Sequence, residues 1–303
     1  MIAPPQAVTI AIASSGRASL VRCLTSLAAL ELPAELRVDI LIADDSDAAT
    51  VPERVAAAQP LPFAVHVVPV HAHNVSVARN ACIAAATGDL IAFVDDDEWV
   101  EPDWLTRLLA AMAEFEADCV FGPVHPVYPA GTPHWIVRAN PLHVDWGRRG
   151  RRVEVGRGGN TLFRRALAVR HGLRFDPALG RTGGEDTSFF HAMGQVGAVM
   201  VVTDDATVHE DAPPARVNLA YFRHRALRTG QIYARFIVGQ HAHQPLRTAL
   251  FYGGALAKAA VALGVGALIY PFDRARWLRL AMRGWMNVGK LRELLKLAPA
   301  TMN

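Results

Sequence analysis

A chain of 303 residues with 51% hydrophobic and 19% charged side chains has apolar material for one large domain or two modest ones, which excludes a disordered or fibrous protein. Its three cysteines, Cys23, Cys82 and Cys119, are odd in number and widely spaced, which excludes a disulfide framework or a zinc ribbon and suits buried thiols in a reducing compartment. The formal charge of +3 conceals a division: residues 1–147 carry 7 basic and 18 acidic side chains, a net of −11, and residues 148–303 carry 24 and 10, a net of +14. An acidic half suits metal chemistry, and a basic half suits anions or a membrane surface. The opening "MIAPPQAVTI" has neither a basic n-region nor an apolar h-region, so no secretory signal is expected.

In chain order, residues 7–13 read as a buried strand closed by the turn "SSGR", and residues 19–30 as a helix with Ser19 as its N-cap. Residues 37–43 form a second strand running into "DDSD", and residues 63–70 a third. "VSVARNACIAAA" (75–86) is a helix and "LIAFV" (90–94) a fourth strand. A helix over 102–115 has proline in its first turn, and "DCVFGPVHPVY" (118–128) is a fifth strand. This alternation predicts an α/β fold with a doubly wound, mostly parallel sheet, whose ligands lie beyond the carboxyl ends of the strands. "SSGR", "DDSD" and "DDDE" all fall at such ends, so one shared site is expected. From Gly131 the pattern loosens into a second lobe on the same sheet, and from Arg216 the chain reads as helical and basic, without an acid between Asp211 and Asp273.

The most unusual stretch is "AFVDDDEWVEPDW" (92–104), where four acids follow an apolar run. Like charges at such spacing persist where solvent relaxes them or a cation neutralises them. Asp95 and Asp97 form a D-x-D pair of the kind that holds Mg²⁺ or Mn²⁺ by one or two oxygens, leaving the other positions to phosphate and water. A solvated, acidic helix start is the alternative at this point. In "GGEDTSFF" (183–190), two glycines let the backbone approach a ligand, and the carboxylate that follows is placed to act as a general base. His209 in "TVHEDAPPAR" is a candidate further metal ligand.

The ordered set "VTIAIASSGR", "ILIADDSD", "VSVARNACIAAATGDLIAFVDDDEWVEPDWL", "GGNTLFRRA", "GRTGGEDTSFF" and "HED…RVNLAYFRHRALRTGQIYARF" resembles the family 2 glycosyltransferases of the GT-A fold, in particular bacterial enzymes of the succinoglycan type. The first loop departs from the family, which has a Pro-Thr-aromatic-Asn sequence where this chain has "ASSGR". The resemblance implies a nucleoside diphosphate sugar donor, most simply a UDP-sugar, held at the strand ends by Ser15 and Arg17. It implies Asp44 or Asp45 near the uracil, Arg79 near the diphosphate or base, Asp95 with Asp96 on the ribose side, and Asp97 with His209 on a Mn²⁺ or Mg²⁺ ion. Asp186 takes the acceptor proton with Glu185 beside it, in a single displacement with inversion. Arg223, Arg225 and Arg228 stand in the segment that meets the leaving diphosphate; Arg225 and Arg228 share a helix face. The ten arginines from Arg148 to Arg181 suit an anionic acceptor or a solvated surface.

The implied activity is sugar transfer to a lipid-linked oligosaccharide in surface polysaccharide assembly. The enzymatic rival is a sugar nucleotidyltransferase, and the non-enzymatic one a scaffold that keeps a nucleotide pocket. Three stretches are expected: a donor-binding half over 1–125, an acceptor-binding half over 126–240 and a membrane-associating tail over 241–303. In the tail, residues 249–272 are apolar but interrupted by Lys258, which leaves 14 uninterrupted residues, short of the roughly 20 that span a bilayer. An interfacial or re-entrant helix is expected there, with a buried core helix and then a transmembrane span as the alternatives. Residues 274–297 follow as a basic helix with Trp277 and Trp285 on one side, suited to an anionic membrane on the cytoplasmic face of a bacterial inner membrane or, as the alternative that amphipathicity does not separate, to packing on the catalytic domain.

Overall fold

The computed structural model describes residues 7–48, 50–144, 146–240 and 244–295. In chain order the elements are β1 (Ala7–Ser14), α1 (Ser19–Ala28), β2 (Arg37–Asp44), α2 (Val51–Ala57), β3 (Ala64–Pro69), α3 (Val75–Ala85), β4 (Leu90–Phe93), β5 (Glu98–Val100), α4 (Trp104–Glu114) and β6 (Cys119–Phe121). There follow β7 (Val124–Val127), α5 (His134–Ala139), β8 (Thr161–Arg164), α6 (Arg165–Arg170), α7 (Glu185–Gln195), β9 (Met200–Val202), β10 (Val208–Asp211), and the long helices α8 (Leu219–Gln240), α9 (Pro245–Ile269) and α10 (Arg274–Leu294).

Seven strands form one sheet in the order β3-β2-β1-β4-β8-β6-β9. The pairs β1–β2, β2–β3, β1–β4 and β6–β9 are parallel, and β8 runs antiparallel between β4 and β6. The expected mixed, mostly parallel sheet is therefore present. Both faces are covered, which is why β1 and β4 read as unbroken apolar runs rather than alternating ones. On one face Leu20 and Leu24 of α1 pack with Trp104, Leu105 and Leu108 of α4. On the other, Ala78 and Cys82 of α3 pack with Phe189 and Phe190 of α7.

Three local readings change. Helix α1 begins at Ser19 rather than after it: Ala18 already has helical backbone and Val21 N–H donates to its carbonyl, so Ser19 lacks the extended backbone of an N-cap. The fifth strand breaks at Gly122–Pro123, where proline has no N–H to donate and Gly122 N–H turns to the Asn160 carbonyl. The "GGNTLFRR" stretch supplies an unpredicted strand, β8, in the middle of the sheet.

Asn160 pins this region. It sits at φ 51°, accepts from Trp104 Nε1 at 2.7 Å, and donates to the Pro123 and Ala206 carbonyls at 2.7 and 2.8 Å. Asn160→Ala leaves Trp104 Nε1 and the Ala206 carbonyl unpaired, while the Pro123 carbonyl keeps the Val208 N–H, and is expected to cost about 2 kcal/mol, read as a lower midpoint in denaturant. The cysteines are buried thiols as expected. Burial raises all three pKa values and pushes Cys82 to about 12. Native protein is therefore expected to resist iodoacetamide at pH 8 and to react at all three thiols once unfolded.

The chain forms two compact units. Residues up to His125 fold with Val144–Glu210, and Pro126–His143 fold with the chain from Asp211 onward. The boundary at residue 241 lies outside the described residues. The second unit is helical, built on Ile136, Leu142, Phe222, Ala275 and Leu278. In it, α9 is one 25-residue helix that runs through Lys258 without a break, so the lysine interrupts the apolar run but not the helix. Helix α10 is not a free amphipathic helix either: it buries Ala275, Leu278, Ala281 and Gly284 between its neighbours α5, α8 and α9.

Candidate active site

The four acids after β4 meet protein cations and donors, each in a different way. Asp95 Oδ1 accepts from Arg79 Nη2 at 3.1 Å. Asp96 is buried; it accepts from Ser14 Oγ at 2.7 Å and from Arg17 Nη1 at 3.2 Å. The same Nη1 reaches Asp97 Oδ2 at 2.6 Å. Burial pushes the Asp96 carboxyl up to about 6 despite Arg17 and Ser14. Glu98 turns inward, accepts the Asp95 N–H at 3.0 Å and faces Glu210 across the β5–β10 ladder; burial, with Asp95 beside it, drives its pKa well up.

Arg79 is the centre of the site. Helix α3 starts at Asn74, whose Oδ1 accepts the Ser76 and Val77 N–H groups, and this capped helix buries Arg79 against the sheet. Its guanidinium reaches three carboxylates: Asp95, Glu185 Oε1 at 3.2 Å and Asp186 Oδ1. Burial alone lowers its pKa, but Asp186, Asp95 and Glu185 more than reverse that and raise it. Burial and the neighbouring Asp186 raise Glu185, with Arg79 opposing them. The carboxylate pair opens α7 directly after Gly183 and Gly184, whose φ values of 79° and 102° favour glycine. Phe189, one turn further, stacks on Phe175 at 4.1 Å, and the Arg79 guanidinium lies 5.5 Å from the Phe175 ring. The loop before β8 closes over the group: a Cβ on Gly158 would lie 2.3 Å from Arg79 Cζ, and one on Gly159 would lie 2.9 Å from carboxylate oxygens of Asp95 and Glu98.

Asp44 and Asp45 have structural duties. Asp44 Oδ1 accepts the Ser46 N–H and hydroxyl. Asp45 accepts three consecutive N–H groups, from Ala72, His73 and Asn74, and so fixes the loop before α3. A cleft of about 210 Å³ beside it is lined by Ser14, Ser15, Arg17, Asp45, His73 and Asp96 among others. A wider, more open depression of about 520 Å³ around Glu31, Glu101, Asp103 and Asp205 contains none of the expected site residues.

His209 lies on β10 opposite Trp99 and stacks on that indole at 5.5 Å, with its Nε2 2.6 Å from Glu101 Oε1. Among the described residues no three His, Cys, Asp or Glu side chains converge on a metal position. The half-exposed Arg17 sits on Asp97 instead. A hard oxygen donor backed by further carboxylates still fits Mg²⁺ or Mn²⁺, which take most of their ligands from phosphate and water in such sites. Arg223, Arg225 and Arg228 belong to α8 in the second unit, where Arg225 lies within electrostatic reach of Tyr128.

Residues 9–172 match the family described as Glycosyl transferase family 2. The chain is also 35% identical, over 294 residues, to the succinoglycan biosynthesis protein ExoM of Rhizobium meliloti (strain 1021), covering 96% of this chain and 93% of that one. The chain is a family 2 glycosyltransferase. Solved structures of similar fold include the mannosyltransferase PcManGT from Pyrobaculum calidifontis in complex with GDP-Man and Mn²⁺, at TM-score 0.58 and 20% identity over 97% of this chain and 88% of that one. S. aureus TarS 1-349 in complex with UDP-GlcNAc matches at TM-score 0.53 and 14% identity, over 95% and 92%. These likenesses support the GT-A architecture expected from the sequence.

Within this transferase, the structure assembles Arg17, Arg79, Asp95, Asp96, Asp97, Glu185 and Asp186 in its first unit. Sequence reading overlooked His73, Asn74 and the Gly158–Gly159 closure. The glycine pair before Asn160 was the available signal, since adjacent glycines mark close backbone approach.

Proposed function

We propose that this transferase is a metal-dependent inverting enzyme that moves a hexose from a UDP-sugar to a hydroxyl of a lipid-linked oligosaccharide in surface polysaccharide synthesis. The observation that carries the reading is the shared guanidinium: Arg79 joins Asp95 of the donor-side acid run to Glu185 and Asp186 of the glycine-led helix start. The ExoM relative, named for succinoglycan biosynthesis, supports the acceptor class. The structural neighbours that hold UDP-GlcNAc, or GDP-Man with Mn²⁺, support the donor class and the ion.

In this reading Ser15, Arg17 and the Asp45–Asn74 loop receive the nucleotide in the cleft between them, while Asp95 and Asp96 face the ribose. Asp186 accepts the proton of the acceptor hydroxyl as that oxygen attacks C1 and the bond from C1 to the diphosphate oxygen breaks, which inverts C1. Arg79 and Glu185 orient Asp186. A Mn²⁺ or Mg²⁺ ion held by Asp97, with His209 as a further ligand after leaving Glu101, would supply charge stabilisation to the diphosphate. For Arg225 and Arg228 the proposal keeps the role implied by the family resemblance, neutralising the departing diphosphate. The enzyme works at the cytoplasmic face of a bacterial inner membrane, peripheral or monotopic; the long apolar helix α9 supports the membrane association.

The test is a thermal-shift screen of nucleotide sugars with and without Mn²⁺. One UDP-sugar is expected to raise the melting temperature in a Mn²⁺-dependent way, because a ligand at 100 times its Kd stabilises by about 2.7 kcal/mol. A screen in which every nucleotide sugar leaves the midpoint unmoved, with and without the ion, removes the donor assignment.

A further inference from the structure

The second unit ends in a hairpin of two long helices with very different surfaces. Helix α9 is apolar apart from Arg247, Thr248 and Lys258, yet packs on one side only. Tyr252, Ala255, Ala259 and Gly266, at spacings of three, four and seven, are buried. The opposite stripe, Leu246, Leu250, Ala257, Val261, Gly264 and Leu268, is exposed. Leu246 is 72% exposed, Leu268 75%, and Phe272 in the turn that follows 89%. A helix hydrophobic on every side is normally enclosed on every side. This one leaves an apolar stripe uncovered along its whole length, larger than isolated surface leucines explain.

Helix α10 returns alongside it. The Leu263 side chain occupies the space a Cβ would need at Gly284, Gly266 faces Trp277 and Leu280, and Lys290 Nζ lies 5.7 Å from the Phe251 ring. The two helices are thus antiparallel and in register along most of their lengths. On α9 itself, Arg247 and Lys258 are exposed eleven residues apart, three helical turns, and so share one flank of the apolar stripe.

This pairing decides between two ways of meeting a lipid bilayer. At 25 residues α9 is about 37 Å long, enough to cross a hydrocarbon core. If it crossed, its partner would be carried in with it. Arg283 and Lys290 would then be carried in together with Lys258, where charged side chains are strongly disfavoured. Lying in the plane avoids this: the apolar stripe of α9 enters the acyl boundary, and Arg247 and Lys258, exposed on one flank of that stripe, extend to headgroup phosphates. From this we infer that the α9–α10 hairpin is an in-plane docking element for an anionic lipid surface, with the stripe from Leu246 to Leu268 as its inserted face. The inference deepens the proposed membrane location and rests on it.

The test labels the full-length protein with a polarity-sensitive fluorophore at Leu250→Cys, Val261→Cys or Leu268→Cys, three exposed positions in a chain whose own cysteines are buried. Phosphatidylglycerol vesicles carrying bromine either near the headgroup or at the chain end are then added. All three labels are expected to shift to the blue and to be quenched alike by the shallow bromines. Leu250→Glu with Leu268→Glu should lower the vesicle-bound fraction by roughly tenfold per site, the loss of one inserted leucine each. A Val261 label quenched best by deep bromines, with the end labels shallow, overturns the in-plane reading in favour of a span. Labels already shielded before vesicles are added, in a protein sedimenting as a dimer, overturn it in favour of a second copy on that face. Wild-type protein that sediments with vesicles while all three labels stay unchanged leaves the membrane location standing and removes α9 as its element. The nucleotide-sugar thermal shift, run on the same sample without lipid, tests the transferase reading independently.

Discussion

Asp186→Asn is expected to bind the UDP-sugar with unchanged affinity and to lose transfer by a factor of roughly 10²–10⁴, the usual contribution of a positioned general base. The substitution keeps the shape of the side chain, and its Oδ1 still accepts from Arg79 Nη1, so the ion-pair cluster stays assembled. What disappears is the oxygen able to take a proton from the acceptor. The measurement is donor affinity by calorimetry beside turnover with saturating acceptor. Turnover close to wild type would remove Asp186 as the base, and a parallel loss of donor affinity would point to a binding role.

Arg79→Ala should be the most destabilising single change in the site. It leaves Asp95, Glu185 and Asp186 without their shared, buried counter-charge, and removing one partner of a buried ion pair costs roughly 3–5 kcal/mol. Arg79→Lys recovers only part of this, since a single ammonium lacks the planar fork that meets several carboxylates at once. The loss depends on pH in a definite direction. Glu185 has its pKa raised in the native state by burial and by Asp186, so above the ordinary glutamate range the folded protein binds more protons than the unfolded one. Stability contributed by this group therefore falls as pH rises, and taking away Arg79, which opposes the shift, steepens the fall. The gap between variant and wild type in denaturant midpoint should be wider at pH 8 than at pH 5. A variant that melts like wild type at both values would show that solvent, not Arg79, balances these acids.

Much of the first unit was legible from local pattern. The apolar runs of β1, β2 and β4 are buried between two helix layers, and burial on both faces is what makes a strand read as a continuous apolar stretch. Gly183–Gly184 before the acidic pair was equally readable, because a positive φ leaves a residue-level mark. Strand β8 was missed because it enters the sheet antiparallel, far along the chain from the strands it pairs with. Ser19 was misread because the turn before α1 had already taken up helical backbone. Asp45, expected with Asp44 near the uracil, also holds three backbone N–H groups of a loop 27 to 29 residues away, a duty that adjacent residue types do not reveal.

By itself the sequence determined that acids crowd the end of a buried strand and that their charge needs a counterpart, since that follows from residue types at adjacent positions. Tertiary structure alone decided which counterpart each acid meets. Arg79 lies 16 residues from Asp95 but 106 and 107 from Glu185 and Asp186, and only the packing of α3 against the sheet and α7 brings the three carboxylates to one guanidinium. The same division holds for the tail. Its apolar and basic runs are written in the composition, but whether they cross or lie along a bilayer turns on the pairing of α9 with α10, because a helix cannot enter hydrocarbon without the charges of the neighbour packed against it.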